Sequence, residues 1–275
     1  SQCQRICESA FIGGSQRFSC LIMILYFSGT GNSKALAFEI ARHTGDAVYD
    51  LTDSLIASGK RVVWVFPIYS WGLPSPVVDA IGRLELPTEL SKAPHFMAAT
   101  CGDDAGLADE QWRKLVEARG WKAYGAYTVE MPNTYTMMKG FDVDSPEVVR
   151  RKLDAFPQRA ADIAASILAG DSRAGITRGR FAWIKSRIIY PWFMRYATSS
   201  KPYHATAACI ACGKCARECP SGVITMNGDH PVWSGRRCIM CERCYHNCPV
   251  HAIAYGKATD GKGQYTYASF CRKLP

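Results

Sequence analysis

Eight cysteines with regular spacing in the last quarter of the chain are the residues with the clearest chemistry. They form two copies of the run Cys-x-x-Cys-x-x-Cys-x-x-x-Cys-Pro, and the second copy follows the first after 29 residues. In such runs three thiolates bind one four-iron cluster and the fourth binds the neighbouring cluster. The spacing therefore predicts two [4Fe-4S] clusters that lie close together. The expected ligands are Cys209, Cys212, Cys215 and Cys248 for the first cluster, and Cys238, Cys241, Cys244 and Cys219 for the second.

Zinc and disulfide bonds are the alternatives for these thiols. A zinc site usually takes four ligands in two separated pairs, whereas each run here has four cysteines in succession and ends in proline. Disulfides are typical of secreted proteins, but thiols clustered at short regular intervals are more often metal ligands. We therefore expect iron–sulfur chemistry in a reducing, cytoplasmic setting that is low in oxygen.

The region from residue 203 to residue 256 resembles the bacterial-type ferredoxin module with two clusters. The resemblance rests on the two cysteine runs and on the prolines that end them, Pro220 and Pro249. It implies a small α+β domain in which each cluster carries one electron at low potential. Asn227-Gly228 is a hairpin signal between the two halves of this module. The module is basic, where many free ferredoxins are acidic.

A loop rich in glycine and hydroxyl groups follows the first predicted strand and precedes a predicted helix. Its backbone amides, its hydroxyls and the helix N-terminus are suited to bind an anion. The loop has neither the lysine of an ATP-binding loop nor the Gly-x-Gly-x-x-Gly pattern of a dinucleotide site. A phosphate monoester fits better, and FMN is the expected ligand. The loop residues are Ser28, Gly29, Thr30, Gly31, Asn32 and Ser33.

This loop resembles the phosphate loop of flavodoxin, and the resemblance implies that two further loops, after the third and fourth strands, hold the flavin ring. After the third predicted strand, Tyr69 and Trp71 can stack on a planar ring. After the fourth, a short glycine-rich loop offers backbone amides, and Gly102 permits its peptide to change orientation. Cys101 is expected to be a small residue near the ring rather than a redox-active thiol. The residues expected to bind FMN here are Pro67, Tyr69, Trp71, Gly72, Thr100, Cys101, Gly102 and Asp103.

With these three loops, residues 23–168 resemble flavodoxin. The resemblance implies a doubly wound α/β domain with FMN at the carboxyl ends of its strands. Residues 131–135 (Met-Pro-Asn-Thr-Tyr) are similar to a stretch that ends the fifth strand in flavodoxin-like proteins fused to ferredoxin modules. The sequence therefore resembles a flavodoxin–ferredoxin fusion over most of its length after Met23.

Short apolar runs alternate with helical patterns through the first 170 residues. This alternation is typical of a parallel sheet covered by helices on both faces. This alternation predicts an α/β fold, and the resemblance to flavodoxin implies a five-stranded doubly wound sheet in the order 2-1-3-4-5. The predicted strands cover residues 21–27, 47–51, 62–66, 95–100 and 124–130, and the predicted helices cover residues 34–44, 76–84, 105–119 and 145–169.

The predicted domains follow from these elements. They are an N-terminal extension (1–20), an FMN domain (21–170), a linker helix (171–202), a ferredoxin domain (203–256) and a C-terminal tail (257–275). The net charge is +9 overall, but −2 over residues 1–169. The basic half is the half with the cysteine runs, which favours an acidic redox partner or an anionic acceptor. No nucleic-acid motif accompanies the charge, and no apolar run is long enough to span a membrane.

The linker segment combines aromatic and basic residues, as in FAWIKSRIIYPWFMRY. One interpretation is a helix that docks on a membrane surface or on a partner. The other, which we favour at this stage, is a helix whose aromatic face packs between the two domains and which Pro191 bends.

The expected function is electron transfer between the clusters and FMN. One alternative is an FMN-dependent reductase of a small oxidised substrate, fed by the clusters, and another is a redox sensor that binds a partner. No general acid or base stands out in the sequence. The histidines His43, His95, His230 and His251 are expected to be structural. His204 and His246 lie near the cysteine runs and are expected at most to tune the clusters.

Overall fold

The computed structural model describes residues 22–51 and 59–271, so the predicted extension over residues 1–20 lies outside the described residues. Each strand and helix predicted for the α/β part is present, with ends shifted by a few residues. The strands are β1 (Met23–Tyr26), β2 (Ala47–Asp50), β3 (Val62–Pro67), β4 (Pro94–Cys101) and β5 (Lys122–Glu130). The helices are α1 (Asn32–Thr44), α2 (Ser75–Arg83), the short α3 (Thr88–Ser91), α4 (Ala108–Ala118) and α5 (Pro146–Ala169).

The strands form one parallel sheet in the order β2-β1-β3-β4-β5-β6. The predicted order 2-1-3-4-5 is confirmed, whereas the predicted number of five strands is wrong. The sixth strand, β6 (Ala174–Gly175), is two residues long and pairs with Ala126 and Tyr127 of β5. Arg159 holds it by donating a hydrogen bond of 2.9 Å to the carbonyl oxygen of Gly175. So short a strand has no apolar run of its own that periodicity could reveal.

Both faces of the sheet are buried, as parallel strands with helices on either side require. One face packs against α1 and α5 through side chains such as Leu36 and Ile163. The other face packs against α2 and α4 through side chains such as Val77 and Trp112. The carboxyl ends of β1, β3 and β4 therefore meet at one edge of the sheet, where their loops can form a site.

The ends of two helices show how local signals and tertiary contacts compete. Helix α5 begins and ends as its sequence predicts, with Ser145 capping its start and the left-handed Gly170 (φ 66°) its end. Helix α4 begins at Ala108, three residues later than predicted. Gly106 has φ 56° in the intervening loop, and the amide of Ala105 donates to the carbonyl of Thr177 instead of joining the helix.

The linker contains a helix with one wide turn. It consists of α6 (Ala182–Ile184), a π-helical turn (Lys185–Ile189) and α7 (Tyr190–Tyr196). In the wide turn the amide of Tyr190 donates to the carbonyl of Lys185, five residues earlier. Pro191 follows directly and has no amide hydrogen to donate. This helix lies within the range 171–202 expected for the linker, and its irregularity is a π-helical turn beside Pro191.

The C-terminal module is a small α+β unit. Its strands β8 (Ile224–Asn227) and β9 (His230–Trp233) form an antiparallel hairpin, with Gly228 at φ 56° in the turn. This confirms the hairpin signal. The other elements of the module are β7 (Tyr203–Ala205), α8 (Lys214–Arg217), α9 (Arg243–His246) and β10 (Ile253–Tyr255), which pairs with β7. Helix α10 (Tyr267–Cys271) follows in the C-terminal tail and packs against the α/β domain. A helix long and apolar enough to span a membrane does not occur in the described part of the chain.

Candidate redox site between the two modules

The eight cysteines of the C-terminal module lie around two neighbouring cavities. One cavity is lined by the four cysteines expected to bind the first cluster, and also by Cys244. The other is lined by the four expected to bind the second cluster. The fold thus brings together the two crossed groups that the runs predict. These groups are Cys209, Cys212, Cys215 and Cys248, and Cys219, Cys238, Cys241 and Cys244.

Backbone amides point at some of these sulfurs. The amide nitrogen of Met240 lies 3.4 Å from Sγ of Cys238, and that of Ala252 lies 3.2 Å from Sγ of Cys248. Ala211 and Met240 have left-handed backbones, with φ of 54° and 53°, which lets the loops turn tightly. Hydrogen bonds of this kind stabilise a thiolate and set the reduction potential of a cluster.

A buried hydroxyl faces the second cavity. The Tyr203 side chain lines this cavity, and its buried hydroxyl oxygen has no hydrogen-bond partner among the described residues. Buried polar atoms normally have a partner, and the sulfur of a bound cluster would accept this hydrogen bond. Within residues 22–51 and 59–271, no three Cys, His, Asp or Glu side chains converge closely enough to hold a single metal ion. Each of the two cavities is lined by the four thiols of its group, and four thiolates are the donor set that a four-iron cluster takes.

A separate cavity of about 400 Å³ lies at the carboxyl ends of β1, β3 and β4. Doubly wound sheets bind their ligands at this position, and the volume lies in the range of small-molecule sites. Of the residues expected to bind FMN, Gly31 and Gly72 do not line the cavity. The others do: Ser28, Gly29, Thr30, Asn32, Ser33, Pro67, Tyr69, Trp71, Thr100, Cys101, Gly102 and Asp103.

The loop after β1, which we call the phosphate loop after the group it is expected to bind, is held by its own hydroxyl groups. The amide of Gly31 donates to Oγ of Ser28 at 3.1 Å, and Oγ of Ser33 lies 2.7 Å from Oγ1 of Thr100. Gly31 has φ 102°, which only glycine adopts readily, and α1 begins directly after it. The first amides of α1 therefore lie at the cavity, where they favour an anion. This donor set fits the phosphate of FMN.

The loop after β3 is a tight turn with an unusual backbone. Tyr69 and Gly72 close it with two backbone hydrogen bonds of 3.0 and 3.1 Å. Between them, Ser70 and Trp71 have φ of 47° and 63°, although this turn normally takes glycine or asparagine. A left-handed backbone costs such residues about 1 to 2 kcal/mol each. Strain of this kind often marks ligand-binding loops, and here it presents Tyr69 and Trp71 to the cavity.

The loop after β4 is held by a lysine that the sequence analysis missed. The buried ammonium group of Lys152 donates to the carbonyl of Gly102 at 2.6 Å and to the carboxylate of Asp144 at 2.7 Å. The signal that could have revealed it is the position of Lys152 on the apolar face of the predicted helix, where a lysine is rarely buried without a partner. In the same loop, burial raises the pKa of the Cys101 thiol to about 12. Cys101 is therefore a small neutral residue at neutral pH.

The second cysteine run contacts the loop after β1 directly. Gly29 lies so close to Cys241 that a Cβ at position 29 would overlap the carbonyl oxygen of Cys241. The guanidinium group of Arg243 donates to the carbonyl of Ser28. Cys241 and Glu242 also line the cavity in which FMN is expected. An expected ligand of the second cluster thus forms part of the wall of this cavity, which we call the FMN cavity.

Glu242 and His246 join the two modules beside this wall. A carboxylate oxygen of Glu242 accepts hydrogen bonds from the amide and the hydroxyl of Thr136, at 3.0 and 2.9 Å. Nδ1 of His246 accepts from the amide of Tyr265, so the proton is on Nε2, which donates to the carbonyl of Thr134 at 2.7 Å. His246 therefore has a structural role that the sequence analysis did not predict.

The predicted C-terminal tail returns to the loop after β1. The amide of Tyr267 donates to the carbonyl of Thr30 at 3.0 Å. The hydroxyl of Tyr265 donates to the side chain of Asn32 at 3.0 Å, and Asn32 in turn donates to the carbonyl of Pro132. The side chain of Asn32 is thus used to fix the loop, and the two tyrosines are buried against the FMN domain.

The linker helix forms another wall of the FMN cavity. Nζ of Lys185 lies 2.6 Å from a carboxylate oxygen of Asp104 and 5.0 Å from the centre of the Trp71 ring. The inner face of the helix therefore packs against the α/β domain. The helix side chains that line the cavity are Lys185, Ile189, Trp192 and Phe193.

Comparison with known proteins identifies a family for the C-terminal module. Residues 208–253 match the family described as the 4Fe-4S dicluster domain. No curated protein matches the chain significantly in sequence. Among solved structures, the Trp repressor binding protein from Bacillus subtilis is 19% identical and matches 51% of this chain and 95% of its own, with a TM-score of 0.38. Two-electron reduced Megasphaera elsdenii flavodoxin is 20% identical and matches 52% of this chain and 99% of its own, with a TM-score of 0.30.

These structural similarities are weak, so the fold of the N-terminal part rests on its own strand order. That order, β2-β1-β3-β4-β5, is the flavodoxin-like one. The family match of residues 208–253 indicates iron–sulfur clusters and hence a redox role. The chain accordingly joins an α/β domain with the flavodoxin-like strand order to a C-terminal segment that matches the family described as the 4Fe-4S dicluster domain.

Proposed function

We propose that this protein relays electrons between two [4Fe-4S] clusters and FMN. The observation that carries the proposal is the wall shared by the two sites. Cys241, an expected ligand of the second cluster, lines the FMN cavity and contacts Gly29 of the phosphate loop. Electron transfer requires a short separation between donor and acceptor, and the two cavities share Cys241 and Glu242 as lining residues, which supports it.

The exposure of the cysteines supports a direction for the relay. Cys212, in the first group, is exposed, whereas Cys241, in the second group, is buried. An external redox protein therefore has access to the first cluster, and the second cluster stands between it and FMN. Lys214 and Arg217 lie close to Cys212 in the chain and would attract an acidic donor. Electrons enter at the first cluster and leave from the FMN cavity.

The chemistry of the relay follows from the two kinds of cofactor. FMN exchanges one or two electrons, whereas each cluster carries one, so the fusion converts between the two modes. The residues of the chain bind and enclose these groups. Ser28, Ser33 and the first amides of α1 are placed to bind the phosphate. The turn that carries Tyr69 and Trp71 is placed to hold the ring and to exclude water from it.

A second candidate function is the reduction of a small oxidised substrate by FMN. The observation that favours it is an apolar part of the cavity that belongs to none of the three flavin loops. Met138 and Phe141 lie there, together with the linker helix. A flat apolar acceptor could bind between this wall and the flavin. Turnover of small acceptors, with a KM that is raised in Phe141→Ala, would support the reductase. Reoxidation of the reduced protein by protein acceptors alone would support the electron relay.

The proposal is tested by anaerobic reconstitution of the full-length protein with iron, sulfide and FMN. We expect about eight irons and one flavin per chain, since two four-iron clusters bind. A reductive titration followed by EPR and visible spectra should then show two cluster signals and reduction of the flavin. Four irons or fewer after complete reconstitution would contradict the assignment of two clusters. Absence of bound flavin would contradict the FMN site.

A further inference from the structure

The outer face of the linker helix exposes a line of large apolar side chains. Its last four members are four residues apart, which places them on one side of the helix, and its first member stands at the N-terminal end of the helix. We call this line the linker stripe. Its exposed fractions are 66% for Phe181, 45% for Ile184, 54% for Ile188, 54% for Trp192 and 64% for Tyr196. A contiguous apolar surface of this kind usually marks an interaction site.

The inner face of the same helix is fixed to the FMN domain. The hydroxyl of Ser186 donates to the carbonyl of Trp71 at 2.8 Å, and the hydroxyl of Tyr190 donates to the carbonyl of Leu73 at 2.7 Å. Phe193 is buried on this side. Because these contacts set the rotation of the helix about its axis, the stripe remains turned outward.

Positive charge accompanies the stripe. Three cations of the linker are paired with carboxylates of the α/β domain, namely Arg178, Lys185 and Arg187. This leaves Arg180 and Arg195 as the cations beside the stripe. Arg180 lies over the ring of Phe181, and Arg195 lies over the ring of Tyr196, so a cation stands near each end of the stripe. A helix with aromatic and aliphatic side chains on one face and arginines beside them is suited to an anionic membrane surface.

We propose that the linker stripe binds the surface of an anionic lipid bilayer, with its helix in the plane of the headgroups. The rings of Trp192 and Tyr196 have the amphipathic character that favours this depth, and Arg180 and Arg195 contact lipid phosphates. A lipid surface requires only apolar area and positive charge, both of which the stripe supplies. A folded protein partner also requires polar groups for specific contacts, and the stripe has few.

This docking would place the FMN cavity next to the bilayer. Trp192 belongs to the stripe and also lines the cavity. Ile189, Met138 and Phe141 line the cavity too and are 37%, 39% and 42% exposed. The apolar surface of the stripe therefore continues to the opening of the cavity.

The test is sedimentation of the full-length holo-protein with lipid vesicles. Vesicles of phosphatidylcholine with about 30% phosphatidylserine are compared with vesicles of phosphatidylcholine alone. We expect binding to the anionic vesicles, weakened as salt is raised above about 0.1 M. The double variant Phe181→Glu/Ile188→Glu should bind the anionic vesicles at least about tenfold more weakly, because apolar contact is lost and negative charge is added. Neither residue lines the cavity, so iron and FMN contents serve as the check on folding.

The matched control makes the same change at exposed apolar positions outside the stripe. Leu168→Glu/Val232→Glu alters residues that are 38% and 45% exposed and should bind like the original protein. Three results would overturn the proposal: no binding to anionic vesicles, equal binding to neutral ones, or binding that the stripe variant leaves unchanged. Self-association that the stripe variant abolishes, without vesicle binding, would assign the stripe to a second copy of the chain and would also overturn it.

Discussion

Gly29 of the phosphate loop and Cys241 of the second cysteine run lie so close together that a methyl group on Gly29 would overlap the carbonyl oxygen of Cys241. Glycine is the residue that permits such an approach of two backbones. The contact joins the site expected to bind FMN to the site expected to bind the second cluster. It is therefore the feature of the structure on which the relay depends most.

Gly29→Ala should separate the two sites. The added methyl group pushes the phosphate loop and the second cysteine run apart, and overpacking of this kind costs about 1 to 3 kcal/mol. We expect the Kd for FMN to rise at least about tenfold, since a loss of 1.4 kcal/mol in binding free energy is a factor of ten. Flavin fluorescence titration of the reconstituted protein measures this. Gly82→Ala in α2 is the control, because its added Cβ would meet no atom within 4 Å. Equal FMN affinity in Gly29→Ala and in the original protein would refute the close contact.

Tyr203→Phe should change the second cluster alone. The hydroxyl of Tyr203 is buried without a partner beside the second group of cysteines, where cluster sulfur would accept its hydrogen bond. Hydrogen bonds to the sulfurs raise the reduction potential of a cluster. The variant should therefore have a more negative potential for the second cluster and the same potential for the first. A redox titration followed by EPR separates the two, and an unchanged pair of potentials would show that the hydroxyl does not face a cluster.

Cys101 should resist alkylation in the folded protein. Burial raises the pKa of its thiol to about 12, so at pH 8 only about one molecule in ten thousand carries the reactive thiolate. We expect iodoacetamide to leave Cys101 unmodified in the holo-protein and to modify it in the urea-unfolded chain, as mass spectrometry of its peptide can show. Rapid modification in the folded state would instead identify Cys101 as a reactive thiol of the flavin site.

His95 should remain neutral well below the usual pKa of histidine. Burial lowers its pKa to about 4, and its ring bonds both Trp64 and the carbonyl of Leu90. The unfolded chain, with a pKa of about 6.5, binds this proton more readily. The stability linked to His95 is therefore complete above pH 6.5 and is lost as the pH falls towards 4, by up to about 3 kcal/mol.

NMR of the full-length protein with ¹³C-labelled histidine tests this directly. One ring signal should stay constant from pH 8 to about pH 5.5, where an ordinary histidine is already mostly charged. His95→Gln identifies that signal by removing it. If the His95 signal moves with a midpoint near pH 6.5, the prediction that burial keeps this ring neutral is wrong.

The parts of the site that the sequence could predict depend on local chemistry. Each cysteine run is short, so its spacing alone places its first three thiols around one cavity. The loops after β1, β3 and β4 follow their strands directly, so the parallel sheet brings them to one edge. Helix α5 carries its own start and end signals in Ser145 and Gly170. In each case the information lies within a few residues of the feature it specifies.

The parts that could not be predicted depend on contacts between distant residues. Lys152 reaches Gly102 across 50 positions of sequence, and its own neighbourhood on α5 gives no sign of that partner. The tail that carries Tyr265 and Tyr267 has no motif, because its role is to cover a loop formed more than 200 residues earlier. The contact between Gly29 and Cys241 likewise exists only once the two modules have docked.

The central claim is that electrons reach FMN through the second cluster. The most direct measurement is anaerobic stopped-flow reduction of the holo-protein by a reduced acidic ferredoxin, with cluster and flavin absorbance followed separately. It compares the original protein with Cys219→Ser, which removes a second-cluster ligand that does not line the FMN cavity. In the original protein we predict that the flavin is reduced after the clusters. In the variant FMN should still bind, but its reduction should be at least about a hundredfold slower. Flavin reduction at the same rate in both proteins would contradict the relay.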